Sequence, residues 1–231
     1  MSKTYIYKDL KNLAGGLRIF LLFGIFWDII AIGGDAFEIF VLNGIKNKTF
    51  SSQKNMELTA NISDLLQGGI ACIQILLAIV IIVLAIIFMH RAAANTWAWG
   101  VKNISQTPKW CFWNFILPIW CLFKPYIFLR EIYNASEHNS EDDSWKKLPA
   151  PTVMKIWWTF FLIENYIGKR LLRAAFKESQ SINELTAQSY LHLFDDLLSV
   201  ITFLAFYRLV GMITKRQRDY QNKLFEAAET L

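Results

Sequence analysis

A run of 25 residues without a charge, from Leu65 to Met89, limits what this 231-residue chain can fold into more than any other feature. About 20 apolar residues in a helix cross the ~30 Å hydrocarbon layer of a lipid bilayer. Helices in the core of a soluble domain rarely carry so long an apolar run. The run therefore predicts a membrane-spanning helix and places the chain among integral membrane proteins.

Three further segments have the length and apolar content of spans: 19–42, 152–172 and 194–213. The polar residues 43–63 are typical of a loop by composition. We expect an all-α fold, a polytopic membrane protein of about four transmembrane helices in a single membrane domain over residues 19–213.

The composition agrees with a membrane protein. The chain has 9 Trp, 8 Tyr and 18 Phe, and Trp and Tyr collect where the bilayer meets water. Its net charge of +5 is explained by loops rich in Lys and Arg that face anionic lipid headgroups. No basic surface with interleaved aromatic residues lies outside the apolar segments, so nucleic acid is not an expected partner. The expected partner is the lipid bilayer.

The segment 109–131 is apolar, but it is interrupted by Pro118 and Pro125. Its uncharged part, from Trp110 to Phe123, has only 14 residues, which suits a re-entrant or interfacial element better than a span. Proline removes a backbone donor and clashes with the preceding turn of a helix. Three interpretations remain open: an element that dips into the membrane and returns, a fifth span, or a hairpin on the membrane surface.

The distribution of Lys and Arg favours the element that returns. With four spans, the loops on the cytoplasmic side hold 16 basic residues and those on the other side hold 7. With five spans the two sides hold 11 each. Because cytoplasmic loops carry the excess of Lys and Arg, we expect four spans, with residues 1–18 and 214–231 both cytoplasmic.

The centre of the chain, about residues 90–173, contains the motifs "RAAAN", "TPKW", "WNFILPIWCLFKPYIFLREIYNAS" and "IWW". In combination these motifs resemble the bacterial membrane family called domain of unknown function 4328. The positions that carry it are Arg91, Asn95, Pro108, Trp110, Pro118, Pro125, Glu131, Trp157 and Trp158. The resemblance implies an integral protein of a bacterial cytoplasmic (inner) membrane, and it implies no particular activity.

Ionisable residues inside the membrane are costly and mark candidate functional sites. Asp28, Asp35 and Glu38 recur at helical spacing on one face of the first predicted span. They form either a polar stripe along a cation or proton pathway or a packing seam near the outer water. Asp28 is the deepest of the three. Asp195 begins a polar face of the last span and is expected at the solvated outer rim.

Glu164 lies midway along the predicted span 152–172. It is a proton-accepting or ligand-binding group, a side chain hydrogen-bonded to a neighbouring helix, or a side chain that reaches the outer surface because the span is short. Arg91 and Asn95 are one turn apart after the apolar run. We expect Asn95 to satisfy backbone groups left open by the proline-broken segment, and Arg91 to pair with Glu131; a headgroup or small-ligand site is the alternative.

Catalytic signatures are scarce. The sequence has no G-x-S-x-G, P-loop or G-x-G-x-x-G motif, and its three His and three Cys are scattered. We expect no catalytic residue, no metal site and no cofactor. The leading hypothesis is a non-enzymatic structural, sensing or partner-binding membrane module that uses its cytoplasmic loops, including 134–151. The alternatives are a small transporter or channel component using Asp28 and Glu164, and an enzyme that modifies lipids of the inner leaflet.

Overall fold

The chain folds entirely into helices and loops where it is described. The computed structural model describes residues 5–101, 103–117, 120–136, 143–177 and 181–229, and these residues hold no β-strand. The predicted all-α class is confirmed. The six α-helices of the described residues are α1 (Lys11–Lys46), α2 (Gln53–Ala98), α3 (Trp110–Ile116), α4 (Lys124–Ala135), α5 (Thr152–Ala175) and α6 (Ile182–Glu229).

Three of these helices, α1, α2 and α6, are long and apolar enough to cross a membrane. At 1.5 Å per residue, even α1 with its 36 residues is about 54 Å long, which exceeds the hydrocarbon layer. In α2 only 17% of the most apolar window is buried inside the protein. The described residues thus contain three helices whose length and composition suit membrane spans, which indicates a membrane protein.

Helix α5, the third predicted span, does not belong to this set. It carries five charged side chains in 24 residues, and its aromatic residues are less apolar than the aliphatic residues of α2. The four predicted spans thus reduce to three helices that qualify by length and composition alone.

The turn between α1 and α2 explains why two long helices follow each other so closely. Lys48 adopts a positive φ of 54°, and the Thr49 amide donates to the Gly44 carbonyl at 3.0 Å. A Cβ atom on Gly44 would lie 2.7 Å from the Phe50 ring, so a side chain at this position would displace the ring. Ser52 then accepts the Asn55 amide at 3.2 Å and caps the start of α2. The predicted loop 43–63 is therefore mostly helical.

The segment 109–131 contains α3, the first part of α4 and a 3-10 turn at Trp120–Leu122. Helix α3 has 7 residues and α4 has 12, so neither alone reaches across the hydrocarbon layer. They pack against each other, and the rings of Trp110 and Trp120 stack with centroids 5.4 Å apart. Pro125 lies in the first turn of α4, where proline is tolerated, so it begins a helix and does not break one. Pro118 lies outside the described residues.

The contacts between Cα atoms divide the chain into two compact units. Unit 1 comprises Met1–Leu21, Val80–Trp158 and Ala205–Leu231, and unit 2 comprises Leu22–Ile79 and Thr159–Leu204. Helices α1, α2, α5 and α6 contribute residues to both.

A group of aromatic rings packs together in unit 1. Trp157 stacks on Phe206 with centroids 5.0 Å apart, and it lies 5.3 Å from Trp158. Both tryptophans are buried, and Tyr126 of α4 reaches Trp158 at 6.3 Å. The paired tryptophans of the family resemblance thus hold α5 against α6 within this unit, with α4 alongside.

Candidate functional site

Unit 2 contains a cluster of acidic side chains in an apolar setting. A cavity of about 610 Å³ is bordered by residues of α1, α2, α5 and α6. Four carboxylates line it, those of Asp28, Glu164, Asp195 and Asp196, and no Lys or Arg is among its lining residues. We call it the acidic cavity.

A second cavity of about 300 Å³ adjoins the first in the same unit. The two cavities share the lining residues Gln74, Gln188, His192 and Asp196. Asp35 and Glu38 line the second cavity, so the three acids of α1 all face this pair of cavities. The charges of Asp35 and Asp28 both act on Asp196 of α6, which places carboxylates of two helices close together.

Two glutamines of α2 hold the acids of α1 in place. The Gln74 amide donates to Asp28 at 3.3 Å and to Asp196 at 2.9 Å. The Gln67 amide donates to Asp35 at 3.1 Å and to Glu38 at 3.2 Å. Asp28 and Asp35 are seven residues, or about two helical turns, apart on α1, and Gln67 and Gln74 have the same separation on α2. Because the two helices are antiparallel, Asp28 pairs with Gln74 and Asp35 pairs with Gln67.

The amides leave part of each carboxylate without a partner. Asp28 and Asp35 each expose only 4% of their surface. Within the described residues, the second oxygen of each has no hydrogen-bond donor, and Oδ1 of Asp195 has none either. Buried carboxylate oxygens without donors are costly. They therefore favour a positively charged or donating occupant of the cavity.

Glu164 of α5 also has its partner in unit 2. The Thr202 hydroxyl of α6 donates to the Glu164 carboxylate, and it lies next to the Leu198 carbonyl as well. The structure contains the predicted hydrogen bond to a neighbouring helix. Glu164 also lines the acidic cavity, and its role as a proton-accepting or ligand-binding group stays a prediction.

Several residues of this site are not among those predicted from the sequence. Gln67 and Gln74 are the two amide side chains in the uncharged run of α2, and their spacing of seven residues was a readable signal. Asp195 and Asp196 both line the acidic cavity, and the position of Asp195 at the outer rim stays a prediction. Among the described residues, no group of three or more His, Cys, Asp or Glu is arranged to hold a metal ion.

Asn95 lies in unit 1 and has a different role from the one predicted. It is fully buried; its amide donates to the Lys8 carbonyl at 2.9 Å and to Gln217 at 2.8 Å, and its oxygen accepts the Lys8 amide at 2.9 Å. It does satisfy open backbone groups, but they belong to the segment before α1 and not to the proline-broken segment. Gln217 in turn donates to the Ala92 carbonyl at 2.9 Å and to Ser136 at 3.1 Å.

The predicted pair of Arg91 and Glu131 is not formed in the described residues. Glu131 accepts the backbone amide of Ser105 at 3.0 Å and its hydroxyl at 2.7 Å. Arg91 lines a small cavity of about 340 Å³ with Asn95 and Lys8. Glu131, which lies in α4, therefore holds the connector that precedes α3 against α4. Pro108, also a position of the family resemblance, is buried and accepts the Cys111 amide at 3.2 Å.

Comparisons with known proteins identify one family. Neither a curated protein nor a solved structure matched the chain. The model of the family described as "Domain of unknown function (DUF4328)" matches residues 52–215, which include the amides of α2 and the cavity-lining residues of α5 and α6. Since this match extends over more than half of the chain, the protein belongs to the DUF4328 family.

Proposed function

We propose that this chain is a small membrane transporter or channel component that binds a proton or a small monovalent cation in the acidic cavity of unit 2. One observation carries the proposal. Asp28 is buried to more than nine-tenths, one of its oxygens lacks a donor within the described residues, and it borders a cavity lined by four carboxylates. Intramembrane acids that face a polar cavity are characteristic of ion and proton pathways.

The lining of the cavity explains the preference for a cation. Like charges around a site of low dielectric repel one another, and no Lys or Arg among the lining residues offsets them. Gln74 and Ser199 add neutral polar groups that complete a hydration shell, and apolar residues such as Phe203 form the rest of the wall. A site of this composition attracts cations and repels anions.

The proposed topology has four spans, α1, α2, α5 and α6, with both termini in the cytoplasm. Helix α5 is about 36 Å long, sufficient to cross the bilayer in spite of its charges. Its basic residues Lys169, Arg170 and Arg173 cluster near its end, from where long side chains reach the headgroups. The segment 109–131 is proposed to dip into the membrane from the cytoplasmic side, since each of its helices is too short to cross.

The proposed location is a bacterial cytoplasmic membrane. It is supported by the resemblance to a bacterial family and by the uneven distribution of Lys and Arg between the loops. A role as a partner-binding module through 134–151 stays a prediction from the sequence, and residues 137–142 of that loop lie outside the described residues. Asn95, which with Arg91 was an alternative headgroup or small-ligand site, is fully buried among hydrogen bonds, which gives a lipid-directed role at this residue less support.

Flux through reconstituted protein tests the proposal. Purified protein in liposomes is loaded with a pH-sensitive dye in one arm and a sodium-sensitive dye in the other, and a potassium diffusion potential drives uptake. We expect flux of one cation, and we expect Asp28→Asn and Glu164→Gln to abolish it, because each removes a carboxylate from the cavity wall.

The matched control is Glu57→Gln, an identical change at an exposed residue of α2 that does not line either cavity. It should leave the flux unchanged. Thermal unfolding of each variant in detergent establishes that it is folded. Unchanged flux in folded Asp28→Asn protein, or no flux of either ion in the wild type, contradicts the proposal.

A further inference from the structure

Unit 1 contains a cavity that is lined mainly by basic side chains and has no part in the proposed cation pathway. It has a volume of about 750 Å³ and lies between the first two turns of α1 and the segment of α6 from Gly211 to Asp219. Four cationic side chains line it, those of Lys11, Arg18, Lys215 and Arg218, against the single acid Asp219. We call it the basic cavity.

The two helices contribute the same pattern to this cavity. On α1 the residues Lys11, Gly15 and Arg18 follow at steps of four and three, and on α6 Gly211, Lys215 and Arg218 do the same. Such steps place three residues on one helical face. A Cβ atom built on Gly15 or on Gly16 would meet no atom within 4 Å, so the glycines leave open space between the cations.

Arg18 is held in position by aromatic packing. Its guanidinium carbon lies 4.0 Å from the centre of the Tyr207 ring, an arrangement that fixes the plane of the group. Its Nε atom is buried and, within the described residues, donates to no acceptor. None of the four cations of the cavity forms an ion pair within the described residues. The site is therefore rich in donors that lack an anionic partner.

We propose that the basic cavity binds a phosphate group. A guanidinium presents several N–H donors in a planar fork that matches phosphate oxygens, and the lysines add point charges. The phosphate belongs either to the headgroup of an anionic lipid or to a small soluble anion, and both sources present the same oxygens to these donors.

Binding of defined probes to the full-length protein in detergent tests this proposal and separates the two sources. The lipid arm titrates short-chain phosphatidylglycerol against short-chain phosphatidylcholine, and the soluble arm titrates inorganic phosphate and glycerol 3-phosphate. We expect saturable binding in at least one arm. Saturation by phosphatidylglycerol alone identifies a lipid site, and saturation by inorganic phosphate identifies a site for a soluble anion.

Two variants ask whether the binding occurs in this cavity. Arg18→Gln should weaken binding about tenfold, because it removes a charge-assisted donor. Gly15→Leu fills the open space and keeps all four charges, so it should weaken binding as well, and it provides a second test where Arg18→Gln fails to fold. Lys223→Gln, at an exposed site on α6 outside the cavity, is the matched control and should bind as the wild type does.

Absence of saturable binding in both arms would overturn the proposal. So would equal weakening by Lys223→Gln and Arg18→Gln, since that result indicates attraction by net charge alone. Wild-type affinity in Gly15→Leu, measured on protein with an unaltered melting temperature, would also overturn it.

Discussion

Replacing Asn95 with alanine removes the centre of the polar network in unit 1, and its cost can be worked out from the structure. Three hydrogen bonds disappear, two to the backbone of Lys8 and one to Gln217, and Asn95 itself is fully buried. Lys8 is exposed, so its backbone groups recover part of their bonding from water and should cost about 1 kcal/mol each. Gln217 is buried, and its bare oxygen should cost about 2 kcal/mol.

The expected loss for Asn95→Ala is therefore about 4 kcal/mol of the free energy of unfolding. A titration of detergent-solubilised protein with sodium dodecyl sulfate, followed by tryptophan fluorescence, measures this quantity. Asn55→Ala is the matched control, because Asn55 is exposed and its side chain makes one bond, to Ser51 at 3.0 Å. It should change stability by less than about 0.5 kcal/mol.

A double-mutant cycle with Gln217→Ala isolates the bond between the two side chains. Because the residues are in contact, we expect an interaction free energy of about 1–2 kcal/mol between Asn95→Ala and Gln217→Ala. A loss below about 1 kcal/mol for Asn95→Ala, or additive single losses, would refute the reasoning that a buried network joins the segment before α1 to α2 and α6.

Three further predictions follow from other parts of the fold. Trp157→Ala should lower the free energy of unfolding by about 3–5 kcal/mol in the same titration, because the buried ring stacks on Phe206 of α6. Trp113→Ala, at a half-exposed ring, should lower it much less. Equal losses for the two variants would contradict the stacking of α5 on α6. Burial raises the pKa of the Cys111 thiol. In protein with Cys111 as its single cysteine, we therefore expect iodoacetamide at pH 8 to label this thiol only after unfolding. Rapid labelling of the folded protein would be the contrary result. Thr107 and Lys147 are exposed and flank α3 and α4. A single cysteine at either position should react with a membrane-impermeant reagent from the cytoplasmic side only. Labelling of the two positions from opposite sides would show that the segment between them crosses the membrane.

The sequence predicts the main elements of the fold because lipid imposes a simple rule. An uncharged run of the length seen in α2 has one stable structure in a bilayer, a helix that satisfies its own backbone. The bounds were harder to predict, since α2 begins at Gln53, ahead of the apolar run, and its polar first turns are held by local caps. Polar composition alone does not separate a loop from the wet end of a long helix.

The candidate site could be predicted in part. The spacing of the acids on α1 put Asp28, Asp35 and Glu38 on one face, but it did not say which helix lies opposite. That requires the register of α1 against α2, which follows from packing that is not local in sequence. Gln67 and Gln74 have the same seven-residue spacing, and matching the two patterns would have placed the pairs.

Pairings across long separations were the least predictable part. Glu131 bonds to Ser105, and Asn95 bonds to Lys8, a residue 87 positions away in the chain. Both side chains have several bonding partners of similar free energy, and the packing of unit 1 selects among them. The sequence therefore indicated that these polar residues have a structural role, but it did not identify their partners.

The most direct test of the central claim is the charge preference of the acidic cavity. A single cysteine at Ser199, which lines this cavity, is reacted in membranes with a cationic and with an anionic thiosulfonate reagent of similar size. We predict that the cationic reagent reacts faster by about tenfold or more, and that Asp28→Asn narrows the difference. Equal rates for the two reagents, or faster reaction of the anionic one, would contradict the claim that these carboxylates form a cation site.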